Sequence, residues 1–309
     1  MQHDSKAVST SLWDKLNQRA QSQDWPDSAL YVVATPIGNM LDLSIRAWHT
    51  FMRCNVVAAE DTRTTKALFN AWGIERKLIA AHRHNEIEAA NTIIKKLSEG
   101  NRVALVSDAG APAISDPGGR LVAMVLEAGY RVIPVPGPSA VVSALMASGV
   151  TSDANPEFAF AGFVPSKTGA RSEWLQRWCN YGFVVAMYES PHRIKNTLQA
   201  LAEIMPAQRL ITVARELTKK FEQIVTIKAT DINSWLTENE KKLQGEFVLI
   251  IHSWATESNS SEIGLQSKDL IKALVQEVSV RDAARVVARL GIMPRDQAYK
   301  LALEVKSGF

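Results

Sequence analysis

Cysteine is scarce: the two residues of 309, Cys54 and Cys179, lie far apart in apolar or helical surroundings, which suits neither a secreted disulfide scaffold nor a thiolate metal site. Such usage predicts a cytoplasmic protein. No apolar run reaches the roughly 18 to 20 residues that a membrane span needs, so no membrane association is predicted. Residues 1–28 contain no apolar signal-peptide core and read as a polar, poorly ordered extension. Charge of one sign is lacking too. With 35 Lys and Arg against 32 Asp and Glu, the net charge of +3 excludes a purely electrostatic nucleic-acid binder, and any RNA contact must come from local patches. The Walker A pattern is missing throughout, and the first strand does not lead into a GxGxxG fingerprint. His82, His84 and Asn85 have no cysteine or third histidine at ligand spacing, so no metal site is predicted.

What is present is an alternation of short β-branched runs with amphipathic segments. ALYVVATP, NVVAAE, KLIAAH, RVALVSD and RVIPVP between residues 29 and 152 predict a largely parallel sheet covered on both faces. Between the third and fourth, Ile87, Ala90, Ile94 and Leu97 mark one helix face, and Gly100 marks its stop. A second α/β domain is expected over residues 153–254, from FAFAGFVP, GFVVAMYE, RLITVARE, EQIVTIKA and GEFVLIIHS, with more mixed strand directions. Residues 255–264 (ATESNSSEIG) read as a linker. Residues 265–309 read as a small helix-turn-helix-like bundle: Leu270 and Leu274 on one helix, Ala283, Val287 and Leu290 on a second, Ala298, Leu301 and Ala302 on a third. Ser279 to Asp282 is a capping box, Gly291 a stop, and Lys268, Lys272, Arg281, Arg285, Arg289 and Arg295 form a basic set that suits nucleic acid or plain solvation equally.

Three strand ends carry unusual loops. Ala34 to Asn39 follows the first strand, at the place where an α/β sheet puts its ligands. After the fourth strand, Ser107 to Gly118 (SDAGAPAISDPG) replaces bulky side chains with small ones and stiffens the path with two prolines. Pro134 to Ala140 (PVPGPSA) repeats the device one βα unit later. The latter two loops let backbone groups approach a ligand closely at low entropy cost, so together they predict the floor of a binding cleft, whereas the first on its own reads equally as a plain strand-to-helix turn.

The ordered set TPIGN, AAEDTR, HNE, SDAGAPAISDPG, PVPGPSA, GFVP, YESPHR, ARELTK and GEFVLII resembles the tetrapyrrole methylase superfamily, and within it the bacterial group that methylates small-subunit ribosomal RNA. The resemblance spans about residues 30–253 and the helical tail. It implies a two-domain class III methyltransferase of α/β fold, usually a homodimer, that transfers methyl from S-adenosylmethionine to the 2′-hydroxyl of a cytidine in the decoding region of 16S rRNA. Its partner would be 16S rRNA or the small ribosomal subunit. Carried over, the donor pocket comprises Pro36, Asp108, Ala109, Gly110, Ile114, Ser139, Ala140, Tyr188 and Ala214. Ala111 departs from the pattern, because a small polar residue is common there. Relatives of the same fold act on small tetrapyrroles or on protein side chains, and a non-catalytic ribosome-binding factor is a further alternative.

Methyl transfer to a hydroxyl needs alignment first, then a base for the proton and cations near the developing charge. Asp61 and Glu189 are the expected acid-base or orienting carboxylates, and Arg63, Arg193 and Arg215 the expected phosphate or alkoxide partners. A helix cap by the Glu60 to Arg63 segment and an ion pair of Arg215 with Glu216 are the structural alternatives. Lys167 and Arg171, in a basic loop after the sixth strand, are expected to meet RNA. Trp174 and Trp178, four apart on a helix, are expected in the core.

Overall fold

The computed structural model describes residues 5–153, 155–254, 268–290 and 292–307. The chain divides into two compact units, Met1–Ser253 and Trp254–Phe309.

The first unit contains two five-stranded sheets. In the first sheet β1 (Ala29–Val33), β2 (Val56–Ala59), β3 (Lys77–Ala80), β4 (Val103–Val106) and β5 (Arg131–Val135) are all parallel, in the order β3-β2-β4-β1-β5. The strands VVAA and VALV are buried at every position because helices cover both faces, so their sequences run apolar without alternation. On one face α2 (Ile45–Arg53) and α3 (Thr62–Ala71) bring Phe51 and Phe69 against Tyr31 and Val57. On the other, α4 (Glu86–Ser98) and α5 (Gly119–Glu127) bring Ile93, Leu97, Leu121 and Val125 against Leu30 and Leu105. Each such aliphatic side chain contributes about 1.5 to 3 kcal/mol by leaving water.

The inward stripe of α4 is Ala89, Ala90, Ile93 and Leu97, whereas Ile87, expected inside, is 43% exposed. Glu86 Oε1 accepts the Gly118 N–H at 2.7 Å, and this tie sets the roll of the first turn with Ile87 outward. The leader also differs from expectation, for it carries a helix, α1 (Ser5–Gln21). Its polar composition hides three anchors. Trp13 meets Trp48 edge-on at 5.6 Å, Ala20 is buried, and Trp25 Nε1 donates to the Ala20 carbonyl at 2.7 Å.

The helix α6 (Ala140–Ser148) leads into the second sheet, formed by β6 (Phe158–Phe163), β7 (Val184–Glu189), β8 (Leu210–Arg215), β9 (Gln223–Lys228) and β10 (Phe247–Ile251) in the order β6-β7-β10-β8-β9. Only β6 and β7 pair in parallel; the other three pairings are antiparallel. The last strand, β10, lies in the middle and is buried along its whole length. One face packs on α7 (Thr168–Cys179), α8 (Ile194–Ile204) and α9 (Ile232–Glu238), with Trp174 and Trp178 against this core as expected. The other face receives Val141, Ala144 and Leu145 of α6 and Ile37 from the loop after β1. The fully buried Arg209 is tolerated because it donates to the carbonyls of Cys179, Tyr181 and His252.

The second unit is helical. α10 (268–277), α11 (Val280–Arg289) and α12 (Arg295–Ser307) enclose Ile271, Ala284, Val287, Ala298 and Ala302. Ser279 Oγ accepts the Asp282 N–H at 3.1 Å, which is the expected cap. Leu290, expected inside, is 63% exposed because it caps α11 after the last inward turn. The linker 255–264 and Gly291 lie outside the described residues.

Candidate active site

The strand order explains why distant loops meet. β4, β1 and β5 are neighbours, so the loops that leave their carboxyl ends lie side by side. Thr35 and Gly110 exchange both backbone hydrogen bonds, at 2.9 and 3.0 Å, and clasp the first loop to the second. Gly110 does this with φ +77°, a conformation costly for any residue with a Cβ. Further on, Ala113 and Ser115 adopt the same left-handed region (φ 69° and 64°), a strain of about 1 to 2 kcal/mol each, which the surrounding bonds must hold. Two ties do so: Ala113 N–H donates to the Pro117 carbonyl at 3.3 Å, and Gly118 N–H to Glu86.

Above these loops is a cavity of about 440 Å³. Its first wall is Ile37, Glu60, Asp108 to Ala111, Ile114, Asp116, Ser139 and Ala140; its second is Phe163, Tyr188 to Pro191, Leu217 and Glu246 to Val248. Tyr188 is wedged edge-on between Phe160 (4.8 Å) and Phe163 (5.3 Å), and burial raises its hydroxyl pKa. The rim near Leu217 is a charge lattice. Lys219 Nζ reaches Glu216 at 2.8 Å and Glu246 at 2.9 Å, and Glu216 Oε1 also accepts the Glu246 N–H at 3.0 Å. Gly245 stands beside it with φ +88°, a left-handed conformation that favours glycine, and a Cβ there would also displace the Glu216 carboxyl group from its place in the lattice.

The cavity is acidic. Asp108 N–H donates to Glu60 Oε2 at 3.3 Å, and Asp108 Oδ1 accepts the Asp61 N–H at 3.0 Å, which locks the ends of β2 and β4 together. Burial raises the pKa of Glu60 and of Asp108. Asp116 is raised furthest, to about 6, by burial and then by the Glu60 charge, against a stabilising Ser107 hydrogen bond. This carboxylate therefore changes charge just below neutral pH. An array of this kind suits a positively charged ligand.

The expected donor residues Asp108, Ala109, Gly110, Ile114, Ser139, Ala140 and Tyr188 are brought together on the cavity wall. Pro36 lines an adjoining pocket of about 280 Å³, which shares Ile37, Asp108 and Ala109 with the main cavity. Ala214 is fully buried across β10 from Tyr188, in the same apolar cluster. Among the expected catalytic residues only Glu189 lines the cavity, and its carboxylate is fully engaged. It accepts from Ser190 N–H (2.6 Å), Arg193 Nε (2.9 Å) and Thr197 Oγ1 (2.6 Å). Asp61 caps α3 and pairs with Arg63 at 2.6 Å, and hydrogen bonding to Arg63 holds its pKa down at about 2. Both carboxylates thus orient arginines. Arg215 Nε donates to the Gln244 carbonyl at 2.7 Å.

Lys167 is exposed at the start of α7, but Arg171, expected beside it on the surface, is buried in the helix and reaches Thr168 Oγ1 at 3.5 Å. Of the histidine cluster, Asn85 Oδ1 accepts the His82 N–H and closes the turn before α4; neither histidine lines the cavity. Sequence reasoning passed over Asp116 and left Glu60 as a capping alternative. The signal for Asp116 was a second carboxylate in a loop otherwise made of small residues.

Residues 29–233 match the family model described as Tetrapyrrole (Corrin/Porphyrin) Methylases. A Haemophilus influenzae protein named ribosomal RNA small subunit methyltransferase I is 40% identical over 89% of this chain and 96% of its own length. The protein of that name from Escherichia coli O157:H7 is 39% identical over 92% and 98%. Among solved structures, a cobalt precorrin-4 methyltransferase of cobalamin biosynthesis superposes with a TM-score of 0.55 over 73% of this chain and 95% of its own, at 16% identity. A uroporphyrin-III C-methyltransferase from Thermus thermophilus gives 0.51 over 73% and 94%, at 17% identity, and both show the fold alone. By its family model and its full-length relatives, this chain belongs to the tetrapyrrole methylase family.

Proposed function

We propose that the chain transfers a methyl group from S-adenosylmethionine to the ribose 2′-hydroxyl of a cytidine in the decoding region of 16S rRNA, acting in the cytoplasm as a homodimer on rRNA or the small ribosomal subunit. The observation that carries the reading is the acidic cavity over the loops that follow β1, β4 and β5. S-adenosylmethionine supplies a methyl group on a positively charged sulfur. Glu60, Asp108 and Asp116 set negative charge around that cavity, and its volume is in the range of about 300 to 1,000 Å³ usual for small-ligand sites. The backbone of Asp108 to Ala111 offers close approach, Ser139 and Ala140 continue that wall, Tyr188 bounds the far side, and Ile37, Leu217 and Phe163 exclude water. Pro36 and Ala214 shape the pocket from behind.

Asp116 is the group on this wall suited to receive the hydroxyl proton, because it is ionised at neutral pH yet retains basicity. Asp61 and Glu189 hold Arg63 and Arg193 in place, and the exposed Arg63 and Lys167 meet phosphates. The RNA assignment rests on relatives that match nearly the whole chain; the fold neighbours that act on tetrapyrroles share far less sequence.

The test is incubation of the purified chain and labelled donor with small subunits from cells that lack it, followed by nuclease mapping. A single ribose-methylated cytidine is expected. Label on a base or on ribosomal protein, or label taken up only by a corrinoid precursor in a parallel incubation, would refute the substrate. A melting temperature unmoved at saturating donor would favour the non-catalytic ribosome-binding factor.

A further inference from the structure

The tail contains eight Lys and Arg against five Asp and Glu over residues 268–307, so it accounts for the whole +3 of the chain and leaves the remainder balanced. That charge is organised. A groove of about 480 Å³ lies where the first turn of α11 meets the first half of α12, lined by Arg281, Arg295, Asp296, Tyr299 and Lys300, all exposed. The folding reasons are local. Ala284 and Val287 turn one face of α11 inward, Ala298 and Ala302 do the same for α12, and the basic residues fall on the faces left over. Arg285 is occupied by Asp282 at 2.6 Å, whereas Arg281, Arg295 and Lys300 make no ion pair among the described residues. Among the described residues Asp296 is the one carboxylate that lines the groove, and three cations outweigh it.

Tyr299 is the distinguishing feature. The residue is 43% exposed and lines the groove together with the cations, although it sits one residue from the inward-facing Ala298. Cations that share a groove with an exposed aromatic residue fit a single-stranded polynucleotide, whose bases stack while its phosphates pair. They fit an isolated anion less well, since the ring would then have no partner.

We propose that this groove binds a single-stranded stretch of RNA, with Arg281, Arg295 and Lys300 on successive phosphates and a base stacked on Tyr299. The inference rests on the reading of the chain as an rRNA methyltransferase only for the choice of RNA as the polymer.

The intact chain is compared with Arg281→Ala/Arg295→Ala/Lys300→Ala, with Tyr299→Ala, and with Lys306→Ala, which removes a cation outside the groove. Filter binding to a single-stranded fragment of 16S rRNA across a salt series is measured alongside donor affinity and methyl transfer. For the triple variant, RNA affinity should fall 10- to 100-fold and the log–log salt slope by about 2, at about 0.7 per lost phosphate contact, with donor affinity unchanged. Tyr299→Ala should lose at least 5-fold with the slope intact, and Lys306→Ala should match the parent. Equal losses for Lys306→Ala, or affinity and slope unchanged in the triple variant, would overturn the proposal. Tighter and equally sensitive binding to duplex DNA would overturn the assignment to RNA. Because binding is read directly, a parent chain that methylates no rRNA would refute the proposed activity and leave the groove to be judged by its own data.

Discussion

Asp116 stands half-buried among like charges, and its pKa near 6 has two consequences of defined sign. The native state holds this proton more tightly than the unfolded chain. The associated stability is therefore complete below about pH 4, the ordinary aspartate range, and is lost as pH rises through 6. A cationic donor gains from the opposite change. Calorimetry should show S-adenosylmethionine binding about 5-fold tighter at pH 7.5 than at pH 5, the size of one charge pair worth ~1 kcal/mol at 4 Å in water-like surroundings. Asp116→Asn should abolish that pH dependence; its persistence would move the titration to Glu60. At Glu189 the expected effect is on stability. Its carboxylate is inaccessible and accepts three hydrogen bonds, so Glu189→Ala leaves Arg193 and Thr197 without their partner. Urea unfolding should report a loss of about 3 kcal/mol, the lower end for a broken buried pair because Arg193 can still reach water.

All ten strands were legible in the sequence, since each is a short apolar run bounded by turn residues. The three loops at β1, β4 and β5 were legible for the same reason. What the sequence withheld was the facing of individual side chains. Asp116 and Ile37 reach the cavity through loop conformations with no period, and Arg171 is buried by the roll of α7. Strand adjacency was equally hidden, because β10 pairs with β7 and β8 across long stretches of chain. The loop after β4 carries its function in strain. Ser115→Gly should relieve the left-handed penalty and stabilise the protein by about 0.5 to 1 kcal/mol in thermal melts, while weakening donor binding as the loop loses definition. A gain in both would mean that the strain has no part in shaping the cavity.

Across the molecule, labour is divided by charge. Residues 268–307 hold the whole net excess, and the remaining chain, with its acidic cavity, is balanced. The position of β10 has a further consequence for biosynthesis. The first sheet is complete in the nascent chain once Val135 has emerged, but the second lacks its central strand until residues 247–251 arrive. Through that interval the apolar edges of β7 and β8 face no partner, so a growing polypeptide presents sticky template strands for more than thirty residues of elongation. The ribosome's pace over β9 and α9 thus sets how long this half-built sheet is open to chaperones or to misassociation, and synonymous codons in that stretch become a lever on yield.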